Sequence, residues 1–244
     1  MKLKKKIKFS DSNQVWRIKI TDTGKLFIET RDTKNMKAFY HTFELLTGKR
    51  LFTGHQMTEL FWLGIEAIKG DIVFFHRYAK PDMPGHRGIF AFDINTQKVL
   101  WEDDEYAFLF MKEDLIYVYK EGFEGRFFYT INIINGDVVE DLGQNPIEVN
   151  ALRDEAESSV DYSNYNFPES FNFSGIDEID NIISKETDKV EIANSVDYVH
   201  HNDLLIFNYH QAGSGKELTN KLKALLYGCL NALNSNNLFL LLRE

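Results

Sequence analysis

The chain has 244 residues, 43% of them hydrophobic and 14% aromatic, which is ample for a sizeable core, and it carries a formal net charge of −9. That balance argues against general nucleic-acid binding, which needs a basic face to neutralise phosphates. No run of about 18 uncharged apolar residues is present to cross a membrane as a helix. The single cysteine, Cys229, excludes an intramolecular disulfide and a cysteine-only metal site.

The start, MKLKKKIKFSDSN, has the charge of a signal peptide's first region but no apolar run behind it, so a soluble, cytoplasmic protein is expected. With 20 Phe and 11 Tyr the composition favours pleated, half-buried strands over helices. The acidity is local: Asn145–His200 holds 13 acidic residues against Arg153, Lys185 and Lys189.

In chain order, short β-branched and aromatic runs pair around tight turns. Trp16–Thr21 and Lys25–Thr30 flank Asp22-Thr23-Gly24, Leu60–Ile68 and Ile72–Tyr78 flank Lys69-Gly70-Asp71, and Tyr106–Met111 and Leu115–Lys120 flank Lys112-Glu113-Asp114. Each hairpin is followed by a second kind, strand, polar turn, strand, best seen in Gly88–Glu102 (GIFAFDINTQKVLWE). This second hairpin recurs at Phe9–Trp16, Phe43–Phe52, Ile131–Glu140 and Ile182–Ile192. The first apolar residue after its turn is Val15, Leu51, Val99, Val138 or Val190, at spacings of 36, 48, 39 and 52 residues. A period of roughly 40–50 residues built from short strands is the signature of propeller blades.

A further first hairpin, Val196–His200 and Leu204–Tyr209, lies two repeats beyond Leu115. A degenerate blade is therefore expected at about 143–194, with Ile179–Tyr198 as its third and fourth strands; the acidic stretch before it reads equally as an insertion. Leu218–Leu233 has apolar residues at helical spacing, but repeat register makes Leu218–Gly228 a third strand, the reading preferred here. The chain begins with a third and fourth strand, Lys6–Val15, and ends with a first and second, Leu230–Arg243. The expectation is thus an all-β, single-domain β-propeller over 1–244, of about six blades (five or seven on another reading of 143–194). Its ring is closed by pairing of the N- and C-terminal strands. Trp101 and Phe127–Tyr129 are expected to be buried between blades.

The hairpin Asp93–Trp101, with GKRLF at Gly48–Phe52, resembles the repeats of quinoprotein-like (PQQ-type) propellers, in which a D-x-x-T-G-K-x-x-W hairpin recurs. As a whole the chain is similar to an uncharacterised, Bacteroidetes-type bacterial family of propeller-like proteins, a resemblance that implies no known activity. It implies no quinone cofactor either. There is no vicinal cysteine pair, and the repeated Trp is replaced by Phe52, Glu140 and Ile192. No cofactor is expected.

Short motifs resolve into turns. Asp93–Gln97 lacks the sixth-position glycine and twelfth-position glutamate of a calcium loop, and Gly213–Lys216 lacks the leading glycine and the Ser or Thr of a phosphate loop. Ser10–Trp16 lacks the glycine and threonine of a sialidase Asp-box. His200-His201 and His210 could in principle meet a metal, but adjacent strand residues face opposite ways, so at most one of the pair can share a site with His210, and no metal site is expected.

What remains is charge. The loops between second and third strands, Arg31–Ala38, His76–Gly88, Lys120–Arg126 and His210–Thr219, hold nine Lys and Arg against five Asp and Glu in an acidic protein. The candidate ligand-binding residues are Arg31, His76, Arg77, His86, Arg87, Arg126 and His210. The expected function is a non-enzymatic binding or scaffold module whose basic loop face takes a small anionic ligand or an acidic protein partner, with no nucleic acid and no membrane. The alternative is a propeller hydrolase or lyase acting on an anionic or carbohydrate substrate.

Overall fold

The pattern of apolar runs and Gly/Asp/Asn breaks becomes a series of antiparallel meanders. A computed structural model describes residues 4–78, 85–163, 165–172, 176–188, 190–193, 195–201, 204–212, 218–226 and 238–242. Three four-stranded sheets follow one another: β2 (Gln14–Ile20), β3 (Lys25–Asp32), β4 (Lys37–Glu44) and β5 (Arg50–His55); β6 (Leu63–Lys69), β7 (Ile72–Tyr78), β8 (His86–Asp93) and β9 (Lys98–Asp103); β10 (Ala107–Lys112), β11 (Leu115–Gly122), β12 (Gly125–Asn132) and β13 (Val138–Gly143). Each pairs in sequence order, as propeller blades do. Helix α1 (Pro146–Ser158) follows, then β14 (Glu169–Ser170), α2 (Asp177–Thr187), β15 (Asp197–His201), β16 (Leu204–Ala212) and β17 (Leu218–Leu226). The four strands β14–β17 form a fourth four-stranded sheet, while β1 (Lys4–Phe9) pairs with β18 (Leu238–Leu242). No helix among the described residues is long and apolar enough to cross a membrane.

The chain divides into two compact units, Asp11–Val160 and Met1–Ser10 with Asp161–Glu244. In the first, successive sheets pack face to face, and β7 shows why its apolar run is unbroken. Phe75 points to the first sheet, edge-on to Tyr40 at 5.2 Å, while Phe74 points to the third and joins Ile116, Val118 and Ile131. Both are fully buried, each contributing roughly 1.5–3 kcal/mol of transfer free energy. Trp101 lies between the second and third sheets, half-buried rather than buried as expected, donating its Nε1–H to the Ile133 carbonyl at 3.0 Å.

The repeated hairpin is the same turn three times. The carbonyls of Glu44, Asp93 and Asn132 accept from the N–H groups of Gly48, Gln97 and Gly136, each of which has positive φ. At Gly136 a Cβ would lie 2.7 Å from the Trp101 ring, so that turn must be glycine for the indole to lie across it. The outer face of the third sheet is covered by α1, through Val149 and Ala156 against Phe110, Tyr117 and Phe128.

Two expectations need correction. Ile179–Tyr198 does not supply a third and fourth strand: Asp177–Thr187 is helix α2, because Ile179 and Ile183, one turn apart, bury against Leu205 and Phe207. The acidic stretch before it contains a helix, α1. Asn145 caps α1 by accepting from the Ile147 N–H at 3.1 Å, and Pro146 fits the first turn. Lys6–Val15 is not one hairpin, since β1 ends at Phe9 and Val15 belongs to β2. The pairing of the termini is present, with Lys4 to Phe9 in register with Leu242 to Leu238. Leu218–Leu226 is a strand, as repeat register required, whereas residues 227–237, Cys229 and Gly213–Lys216 lie outside the described residues.

Candidate functional site

In every sheet of the 11–160 unit the ladder skips one residue of the first strand: Trp16, Glu66 and Leu109. Such a bulge re-aims a side chain. Next to it, the second strand carries Arg31, His76 or Tyr119, paired across to Gln14, Gly64 or Ala107. In the first sheet Trp16 covers the Arg31 guanidinium at 5.0 Å, and Phe61 lies at 4.9 Å. Arg31 binds Glu29 at 2.6 Å and the Leu63 carbonyl at 2.6 Å.

In the second sheet the same device brings ionisable groups together. Glu66 Oε1 lies 2.7 Å from His76 Nδ1 and 2.8 Å from His86 Nδ1. The two imidazoles stack with centroids 3.5 Å apart and planes 12° from parallel. Tyr78 sets its ring edgewise to both, at 5.0 and 5.8 Å. His76 is buried, and neither its Nε2 nor its Nδ1, despite the short approach to Glu66, makes a well-formed hydrogen bond. Its ring lies directly over Gly64, where a Cβ would sit 2.2 Å from Cε1, so that glycine makes the room. Burial pushes the Glu66 carboxyl up, but its hydrogen bonds and electrostatic attraction to the two histidines outweigh that and hold it below the usual carboxylate range. Two imidazoles and a carboxylate within 4.8 Å of one another are a set that could hold a metal ion.

His86 also borders a cleft of about 650 Å³ between the second and third sheets. Its lining includes Arg87, Lys120 and Arg126 against Glu105 and Glu121, with Tyr119, Phe127 and Tyr129 as apolar surface. Lys120 binds Glu105 at 2.7 Å and lies 4.3 Å from the Tyr106 ring; Arg126 binds Glu121 at 2.9 Å and lies 4.3 Å from the Tyr119 ring. Those carboxylates push both cations' pKa values up. Arg87 donates its Nε–H to the Asp104 carbonyl at 3.3 Å, and no carboxylate among the described residues pairs with it.

The expected site residues therefore separate. His86, Arg87 and Arg126 meet at the cleft, and His76 stands behind His86. Arg31 is buried in strand β3, held by Glu29. Arg77 is exposed but committed to Glu102 at 2.5 Å and Asp104 at 2.8 Å. His210 is in the other compact unit, on β16, where register places it about five strand residues, roughly 16 Å, from His200. Two residues were missed, Lys120 and Glu66. Register alone does not signal Glu66: His76 lies opposite Gly64 and Ile89, His86 lies opposite Tyr78, and Glu66 is the residue the ladder skips, so its meeting with the two histidines rests on that bulge.

Residues 20–101, which include Glu66, His76 and His86, match the model of a domain of unknown function (DUF4905). No curated protein matches the chain. Among solved structures, a crystal structure described as the eukaryotic initiation factor is similar over 94% of this chain and 53% of that one, at 7% identity and a TM-score of 0.38. Kluyveromyces lactis Hsv2 is similar over 93% and 64%, at 11% identity and 0.33. The β-propeller domain of the Trilobed protease from Pyrococcus furiosus is similar over 93% and 72%, at 10% identity and 0.33. The chain spans less than two thirds of the first two. Similarity at this level identifies neither a ligand nor an activity.

Proposed function

We propose that the protein is a binding module built on propeller blades, and that the cleft between its second and third sheets takes the carboxylate or phosphate group of an anionic ligand. The observation that carries this reading is the gathering of Arg87, Lys120 and Arg126 in one concave lining of a protein whose net charge is −9. Lys120 and Arg126 are braced by Glu105 and Glu121, which hold their charges in place. Arg87 keeps its terminal N–H groups for a ligand, in the fork that matches a carboxylate or phosphate. Tyr119, Phe127 and Tyr129 offer apolar surface to the body of the ligand, the usual division of labour in a small-molecule site. Cations in a concave, low-dielectric wall focus the field on an approaching anion.

Titration of the intact protein with inorganic phosphate, sulfate, succinate and benzoate, followed by calorimetry and chemical-shift changes, tests this. Saturable binding that weakens at least about tenfold in the Arg87→Ala, Arg126→Ala double variant and falls with added salt is expected. Arg77→Ala should leave it unchanged, because Arg77 is already spent on Glu102 and Asp104. Binding indifferent to the double variant, or none that saturates, contradicts the reading.

A further inference from the structure

We propose that Glu66, His76 and His86 form a binding site for one divalent transition-metal ion of the zinc class, held by two imidazole nitrogens and a carboxylate oxygen. The proposal goes beyond the anion cleft and does not require it.

The donor set fits that class, since imidazole and carboxylate together suit zinc, copper, nickel and cobalt rather than the all-oxygen ions calcium and magnesium. The placement fits as well. Both Nδ1 atoms lie within 2.8 Å of one Glu66 oxygen, so the three ligand atoms are already gathered. Adjacent ligands of a tetrahedral ion at about 2.0–2.1 Å lie roughly 3.3 Å apart. The observed 2.7 and 2.8 Å are shorter than that, and two nearly parallel rings 3.5 Å apart share no in-plane point, so an ion needs one movement: a ring must turn out of the stack and open by about half an ångström. His86 can give it: its side chain is 38% exposed, at the mouth of the cleft, while buried His76 is fixed between Gly64 and Tyr78.

Two further features separate this cluster from ordinary packing. His76 is buried and neither of its ring nitrogens has a well-formed hydrogen bond, although Nδ1 stands 2.7 Å from Glu66, a costly arrangement that an ion at Nδ1 would relieve. The neighbouring cation, Arg77, is the next residue on the strand, so it faces the opposite side and is neutralised there by Glu102 and Asp104. A bound ion would meet one negative ligand and no facing guanidinium from its own strand. Three protein ligands also leave coordination positions for solvent or another group, as sites with an open position do.

The experiment uses the full chain, stripped with a chelator and then titrated with Co²⁺ by visible absorption and with Zn²⁺ by calorimetry. One equivalent of each should bind, and Co²⁺ should show the d–d bands of a nitrogen- and oxygen-ligated ion. His86→Ala should weaken binding at least about 100-fold, and the isosteric Glu66→Gln at least about tenfold. Replacing His200, His201 and His210 together should leave it intact. Absence of stoichiometric binding at micromolar metal overturns the proposal, as does binding that survives both His86→Ala and Glu66→Gln. Should His86→Ala not fold, Glu66→Gln, which keeps shape and hydrogen bonding, decides alone.

Discussion

Where the first sheet sets Trp16 against Arg31, the second sets Glu66 against His76, on the same backbone device: a skipped residue on the first strand beside the third-from-last or neighbouring position of the second. The consequences differ because of what each side chain can shed. A guanidinium keeps its charge at any accessible pH, so burying Arg31 obliges the sheet to supply Glu29, a backbone carbonyl and two aromatic faces, and the position is then closed. An imidazole can lose its proton or ligate, so the same position in the second sheet stays chemically open. His86, reaching in from β8, connects it to the cleft. One repeat has thus become scaffold and its neighbour a candidate site without a change of fold.

The largest effect should come from the closed member of the pair. Glu29→Gln leaves the Arg31 charge buried and uncompensated and should cost about 3–5 kcal/mol, whereas Glu66→Gln, whose histidines can stay neutral, should cost about 1–2 kcal/mol. Denaturant unfolding of the two variants compares them directly. Equal losses would mean that the second cluster is as structural as the first.

A smaller effect should follow from filling the space beneath His76. Gly64→Ala places a methyl in the imidazole and should destabilise by about 1–3 kcal/mol while displacing the His76 ring. The equivalent positions in the neighbouring sheets, Gln14 and Ala107, carry side chains. A neutral Gly64→Ala would show that the ring has room to move.

The repeat itself was legible because its turns are chemical. A side chain or backbone acceptor at Glu44, Asp93 or Asn132 and a left-handed residue four positions on leave a mark that survives drift in the strands. The strand at Leu218–Leu226 was readable only through that register, since its own spacing is helical. Helix α2 was not legible, because Ile179, Ile182 and Ile183 satisfy a short strand pattern and a helical one alike, and packing onto Leu205 and Phe207 decided between them. Charge counting grouped Arg87, Arg126 and His86, which line one cleft, with Arg31 and Arg77, which do not. That distinction rests on which carboxylate each one meets, and Glu29, Glu102 and Asp104 approach through sheet register rather than sequence proximity.

The smallest expected effect concerns pH. Burial pushes the His41 imidazole in the first sheet down, against a partial upward pull from Asp11 at 3.4 Å. Its folded pKa is therefore below the unfolded value near 6.5, and the unfolded chain takes up the proton first. Stability from this residue is complete above about pH 6.5 and is lost as pH falls through the folded value. Melting temperatures across pH 7 to 5 should decline less steeply in His41→Gln than in the parent; an unchanged slope would show that other groups carry the acid sensitivity.

The contrast between a closed first sheet and an open second one is tested most directly by the histidine ring nitrogens. In ¹⁵N-labelled protein, one equivalent of Zn²⁺ should shift the ring resonances of His76 and His86 together, in slow exchange, while those of His41 stay in place. Rings of His76 and His86 that do not respond, or all seven histidines drifting together with excess zinc, would contradict the account.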